Sequence, residues 1–233
     1  MKTFIVHYTR LNERKDLADF QVAKNNLDAE FITEYDKDVL SEEVIGKFYE
    51  KNSLKYESKI EPLWDSNDFK YRELNMPEIS CTIKHFQAIK KCAEAQGNYS
   101  LILEDDAVLN DTFTEQFEQN LSKTPKDWDA IFIGSGCGDW FQQHKLKDAK
   151  QVNDSCFLVK HPATNCAEGY LLKKDVAEKI YNNSIPFHLI SDWELAYQLY
   201  NIDAKVYWWY PSLIDQGSKN GMFKSTLDLG QRL

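Results

Sequence analysis

Three consecutive acids, Glu104-Asp105-Asp106, follow the apolar run Tyr99-Ser100-Leu101-Ile102-Leu103. Such a run reads as a strand buried on both faces of a parallel sheet. Side chains of an extended strand alternate between faces, so Glu104 and Asp106 are expected to project to one side and Asp105 to the other. Ligands of open α/β sheets bind beyond the carboxyl ends of the strands, where these acids fall. Carboxylate oxygens suit Mn²⁺ or Mg²⁺, and an ion held by one or two of them completes its shell with water and substrate phosphate. Glu104 and Asp106 are therefore candidate metal ligands in a clamp for a diphosphate. The competing reading is a solvated turn, or the first turn of a helix, where acids meet the positive end of the dipole.

Arg10 and Arg14 follow the first apolar run, where a guanidinium would meet phosphates. Surface ion pairing is the alternative. His85, on a helix leading into the acidic strand, would reach the same ligand or serve as a buried structural histidine. The run Gly134-Ser135-Gly136-Cys137-Gly138 would let the backbone approach a sugar or diphosphate closely, or make a plain loop. Trp208-Trp209-Tyr210 would stack on sugar rings, although alternating spacing assigns half of it to the core.

The positioning elements follow from periodicity. Phe4-Ile5-Val6 reads as a strand, Leu11 to Asn26 as a helix with Leu17, Phe20 and Leu27 on its apolar face, and Ala29 to Thr33 as a second strand. This is a βαβ opening, the unit of parallel sheets. A helix is expected over Ser80 to Gln96, from Ile83, Phe86, Ile89 and Ala93, with Gly97 as its stop. Strands are expected at Trp128–Gly134, Phe157–Val159, Tyr170–Leu172 and Val206–Tyr210. Helices are expected at Lys174–Tyr181 and Ser191–Tyr200, the latter opened by a Ser191-x-x-Glu194 capping box that gives Glu194 a structural duty. The polar stretch around 36–79 reads as short helices and loops, either an insertion over the sheet or a wall for substrate.

The chain has 233 residues, 42% hydrophobic and 13% aromatic, enough for one large domain spanning 1–233. With 28 Lys+Arg against 37 Asp+Glu, its net charge of -9 excludes a general affinity for nucleic-acid backbones. The N-terminal apolar run is too short for a signal sequence. No stretch approaches the roughly 20 apolar residues of a membrane span. Five cysteines without CxxC pairing suggest neither a disulfide framework nor a zinc site. A cytoplasmic location is expected, with peripheral attachment to a membrane surface left open.

Several segments, in order, resemble glycosyltransferase family 25, which contains bacterial lipopolysaccharide galactosyltransferases and collagen galactosyltransferases. They are Phe4 to Arg14 with two Arg residues four apart, Ser80 to Phe86 with His85, and Leu101 to Ala107 with the acidic run. Trp128 to Ile131, Gly169 to Leu172, Pro186 to Asp192 and Pro211 to Gly217 follow. Lys84 stands where that family usually has Ser, and Ala167 where it has Thr.

The resemblance implies an α/β, Rossmann-like GT-A fold, the nucleotide-diphospho-sugar transferase fold, with a mixed central sheet flanked by helices. It implies an inverting, metal-dependent transfer of a hexose onto a glycan such as lipopolysaccharide or a surface polysaccharide. UDP-galactose is the first choice of UDP-sugar donor, and Mn²⁺ (or Mg²⁺) the cofactor. Asp192 would be the general base, with Arg10, Arg14, His85, Asp105 and Gln216 binding donor. Residues 212–227, including Asp215, would form a lid. Two other readings stand beside this one: a catalytically silent relative acting as a binding module, and a metal-dependent phosphohydrolase. The latter wants acids after the first strand, where Val6-His7-Tyr8 supplies none.

Overall fold

A computed structural model describes residues 1–51, 72–136, 146, 149–159 and 166–226. Strand β1 (Lys2–Val6), helix α1 (Asn12–Lys24) and β2 (Asp28–Ile32) form the expected βαβ unit, with β1 and β2 parallel. Next come α2 (Glu42–Phe48), α3 (Met76–Glu94), β3 (Tyr99–Glu104), β4 (Ala107–Leu109), α4 (Phe113–Lys123) and β5 (Ala130–Phe132). The chain continues through β6 (Lys150–Asn153), β7 (Cys156–Val159), β8 (Gly169–Lys173), α5 (Lys174–Ser184), α6 (Ser191–Asn201), β9 (Val206–Trp209) and β10 (Ile214–Gln216).

Eight strands make one mixed sheet in the order β2-β1-β3-β8-β5-β9-β7-β6, and β4 pairs with β10 in a separate antiparallel ribbon. Strand β3 runs parallel to β1 on one side and antiparallel to β8 on the other. The fold is α/β, a mixed sheet with helices packed on both faces.

Alternation along the central strands builds two cores. Phe4 and Val6 of β1, Ile102 of β3, Tyr170 and Leu172 of β8 and Trp208 of β9 face one way, against Ile83, Phe86 and Ile89 of α3, Ile180 of α5 and Leu195 of α6. Ile5, Leu101, Leu103, Leu171 and Trp209 face the other way, against Ala18 of α1 and Phe113 and Phe117 of α4. Both tryptophans of the Trp208-Trp209 pair are thus buried, on opposite faces, and neither stands out as an exposed sugar platform.

Three local expectations need correction. Helix α1 buries Arg14, Ala18 and Gln21, while Phe20 is 62% exposed. The polar side wins because it has buried work: Gln21 donates to the Ala107 carbonyl at 2.8 Å and accepts from the Leu109 amide at 2.6 Å, securing β4. Helix α3 starts at Met76, before Ser80, because Asn75 and Glu78 form a reciprocal capping box with Pro77 in the first turn. Helix α6 has Ile190 at its N-cap with no side-chain cap bond, so Ser191 does not close the expected box. The Glu194 carboxylate instead accepts from the His188 and Leu189 amides, both at 3.1 Å, and from Gln198. Its duty is structural as expected, but it braces the loop before the helix.

Within the polar stretch, α2 is capped by Ser41, and residues 52–71, with Tyr56, Trp64, Phe69 and Tyr71, lie outside the described residues. Among the described residues no helix is long and apolar enough to cross a membrane.

Replacing Gln21 with Leu should strand two backbone groups of β4, at a cost of about 1–3 kcal/mol for each. Urea unfolding should register the loss, and an unchanged midpoint would remove Gln21 from this role.

Candidate active site

In the parallel pairing of β1 with β3, Val6 stands opposite Glu104, so both strands end at the same level. The acidic run leaves β3 there. Strand geometry ends at Glu104, and Asp105-Asp106 form a turn into β4, so separation of the three side chains comes from the turn as well as from strand alternation.

Asp105 turns toward β1 and α1. Its carboxylate meets His7 Nδ1 at 2.8 Å, the Tyr8 amide at 3.2 Å and Arg14 Nη1 at 2.8 Å. Burial alone would push its pKa up, but the His7 hydrogen bond and the Arg14 guanidinium outweigh burial and hold it below its ordinary value. Lys84 supports this corner from α3. It is buried, donates to the His7 carbonyl and pairs with Asp36, whose carboxyl is lowered because Lys84 and Thr9 overcome the effect of burial. The lysine that departs from the family's usual serine therefore bolts α3 to the end of β1.

Glu104 and Asp106 are served far less well. Glu104, half-buried, meets His85 Nε2 at 3.1 Å and Gln216 Nε2 at 3.4 Å. Asp106 Oδ2 accepts from the Ser218 amide at 3.2 Å, and Arg14 stands 3.6 Å away. Burial, then the neighbouring Glu104 charge, raise Asp106 to about 6. Asp106 Oδ1 and Gln216 Oε1 are buried acceptors with no hydrogen-bond partner. Two carboxylates that line one cleft, with unpartnered oxygens on Asp106 and Gln216, are the donor set a hard divalent cation takes. The residues present fit such an ion.

The acids border a cleft of about 640 Å³, solvent-continuous space included, reached by Tyr8, Lys37, Ser80, Cys81 and Ser218. The C-terminal segment closes one side: the Gly217 amide donates to the Asp106 carbonyl at 2.8 Å, and Arg14 Nη2 donates to the Lys224 carbonyl at 2.7 Å beneath the Phe223 ring. A Cβ on Gly217 would lie 2.7 Å from that ring, so the close approach requires glycine.

Of the residues singled out in the sequence, Arg14, Asp105, Glu104, Asp106, His85 and Gln216 come together. Arg14 and Asp105 spend their charges on each other. Arg10 stays apart, 70% exposed and paired with Asp38 at 3.0 Å. Asp215 is exposed on β10. Asp192, in the first turn of α6, accepts from the Trp193 amide at 2.9 Å. Burial and the Glu104 charge raise it to about 7, against the Trp193 hydrogen bond and the nearby His85.

One group escaped the sequence reading. Glu168, immediately before β8, is only 2% exposed; its carbonyl accepts from the Glu104 amide at 3.0 Å and its carboxyl from the Gly136 amide. Burial first, then the Glu104 and Asp106 charges, push it up to about 8. A Cβ on Gly134 would sit 2.2 Å from its carboxyl oxygen, so the described part of the glycine run makes room for this side chain. Gly138 lies outside the described residues. The available signal was a lone acid inside the otherwise small and apolar run Cys166-Ala167-Glu168-Gly169-Tyr170.

A family model described as glycosyltransferase family 25 (LPS biosynthesis protein) matches residues 1–193. The chain belongs to glycosyltransferase family 25. The match takes in the acidic run, His85 and Asp192 of this family 25 chain, and ends before β10 and Gln216. No curated protein matches it significantly. Among solved structures, A197 from STIV is similar at 11% identity over 91% of this chain and 82% of that one, with a TM-score of 0.46. A glycosyltransferase involved in glycosylation of the major capsid of PBCV-1 gives 9% identity, coverage of 92% and 91%, and a TM-score of 0.44. UDP-glucose pyrophosphorylase complexed with UDP-glucose gives 11%, 89% and 89%, and 0.47.

A buried acid with a raised pKa costs stability as pH climbs, because the folded chain holds its proton longer than the unfolded one. For Glu168 the window runs from its ordinary 4.5 to about 8. The Glu168→Gln variant, which mimics the protonated acid, should therefore gain stability over the parent steadily from pH 5 to pH 8 in urea unfolding. A constant gap across that range would contradict the buried, protonated carboxyl.

Proposed function

We propose that this chain transfers a hexose, with inversion, from a nucleoside diphosphate sugar to a glycan hydroxyl, using a divalent cation held by Glu104 and Asp106. The observation that carries this reading is the pair of carboxylates at the end of β3 that line one cleft, with Asp106 Oδ1 buried and unpartnered. UDP-galactose as donor, Mn²⁺ as ion and a lipopolysaccharide-type acceptor come from the family rather than from the geometry. When bound, the cation neutralises charge developing on the departing diphosphate.

The chain's own residues do the rest. His85 and Gln216 hold Glu104 from opposite sides, and Arg14 with Asp105 fixes the turn that presents Asp106. The segment from Gly217 to Thr226 acts as a lid over the donor, helping to exclude water. Asp192 accepts the proton of the acceptor hydroxyl as that oxygen bonds to the anomeric carbon and the bond from that carbon to the phosphate oxygen breaks. A carboxylate titrating near 7 is matched to such work at neutral pH.

The test is to incubate the protein with a panel of nucleotide sugars and Mn²⁺ and to follow nucleoside diphosphate release. One donor should be used, and Asp106→Ala should abolish its use. Asp192→Asn should lower kcat by about 10²- to 10⁴-fold, the usual worth of a general base. Parent activity should rise with pH through about 7 as Asp192 ionises. Absence of release with every donor, or release undiminished in Asp106→Ala, would sink this mechanism.

A further inference from the structure

Cys81 and His85 are four residues apart on α3 and so share one face of that helix. Glu104, from the end of β3, meets them there. A Cys81 sulfur, a His85 nitrogen and a Glu104 oxygen all lie within 4.8 Å of one another. Donors around a tetrahedral zinc ion, with bonds near 2.0 to 2.3 Å, stand roughly 3.3 to 3.8 Å apart, so contraction of about an ångström completes the set. Thiolate and imidazole are ligands that favour Zn²⁺ over the harder Mn²⁺ and Mg²⁺.

The site also has its outer support. His85 Nδ1 lies 3.4 Å from the Tyr170 hydroxyl, and His85 Nε2 faces Glu104 at 3.1 Å. An imidazole whose second nitrogen is held by a hydroxyl is oriented as metal-bound histidines are. Cys81 lines the cleft, which provides an entry path and a fourth position for water.

We propose that Cys81, His85 and Glu104 form a zinc-class site that shares Glu104 with the catalytic cation, so that zinc switches the transferase off. The inhibitory half rests on the transfer reading above. Glu104 cannot serve both ions in full. Binding converts the Cys81 thiol to thiolate and releases its proton to solvent. His85 stays neutral: its proton moves from Nε2 to Nδ1, and the Tyr170 hydroxyl changes from donor to acceptor.

Cobalt reports such a site on the intact resting protein, because thiolate ligation gives Co²⁺ a near-ultraviolet charge-transfer band that needs no donor sugar. The full chain should show this band, zinc should erase it, and Cys81→Ser should lose it while keeping the parent's circular dichroism. If the serine variant does not fold, Cys81→Ala takes its place. In the release assay, zinc should inhibit the parent, added Mn²⁺ should relieve that inhibition in proportion, and each Cys81 variant should show the same rate with and without zinc. A band absent from the parent, or undiminished in both Cys81 variants, overturns the site. Zinc binding without inhibition of an active parent overturns the switch. A cobalt band in a protein that uses no donor sustains the site and defeats the transfer reading instead.

Discussion

The site depends on how one buried carboxylate is satisfied. Asp105 is tied to His7 and the Tyr8 amide at the end of β1 and to Arg14 on α1, so three elements meet on a single side chain. A charge buried this deeply is tolerated only when its partners are close and well placed, and breaking such a cluster leaves an uncompensated charge. The tie sets where the turn after β3 can go. Glu104 on one side of it and Asp106 on the other are then presented to the cleft without comparable partners of their own.

That asymmetry organises the electrostatics. Arg14 is largely consumed by Asp105, and Lys84 by Asp36 and the His7 carbonyl. Around Glu104 stand Asp106, Asp192 and Glu168, raised to about 6, 7 and 8. For each, burial is the largest cause and the Glu104 charge adds to it. A region that has spent its cations elsewhere is one in which a divalent ion relieves repulsion among several carboxylates at once.

The scaffold turns irregular where it serves this region. Gln21 takes a buried position that an amphipathic helix would give to an apolar residue, leaving Phe20 in solvent. The glycines at 134 and 217 admit Glu168 and Phe223 at separations that a Cβ would forbid. Glu194 braces a loop rather than capping a helix, which sets the first turn of α6 and with it Asp192.

The sequence by itself determined the βαβ opening, the strands at β3, β8 and β9, the helix carrying His85, the place of the acidic run at a strand's end, and family membership. These rest on local periodicity and on contiguous motifs, which survive without knowledge of distant contacts. Only the tertiary structure decided that Asp105 is an anchor, that Arg10 stands apart while Arg14 is buried, that Glu168 belongs beside the acids, and that Cys81 meets Glu104. Each of these depends on elements far apart in the chain being packed edge to edge. Cys81 and Glu104 show the reason most simply: a helix face and a strand end share no sequence spacing, so no ligand pattern exists until the sheet brings them together.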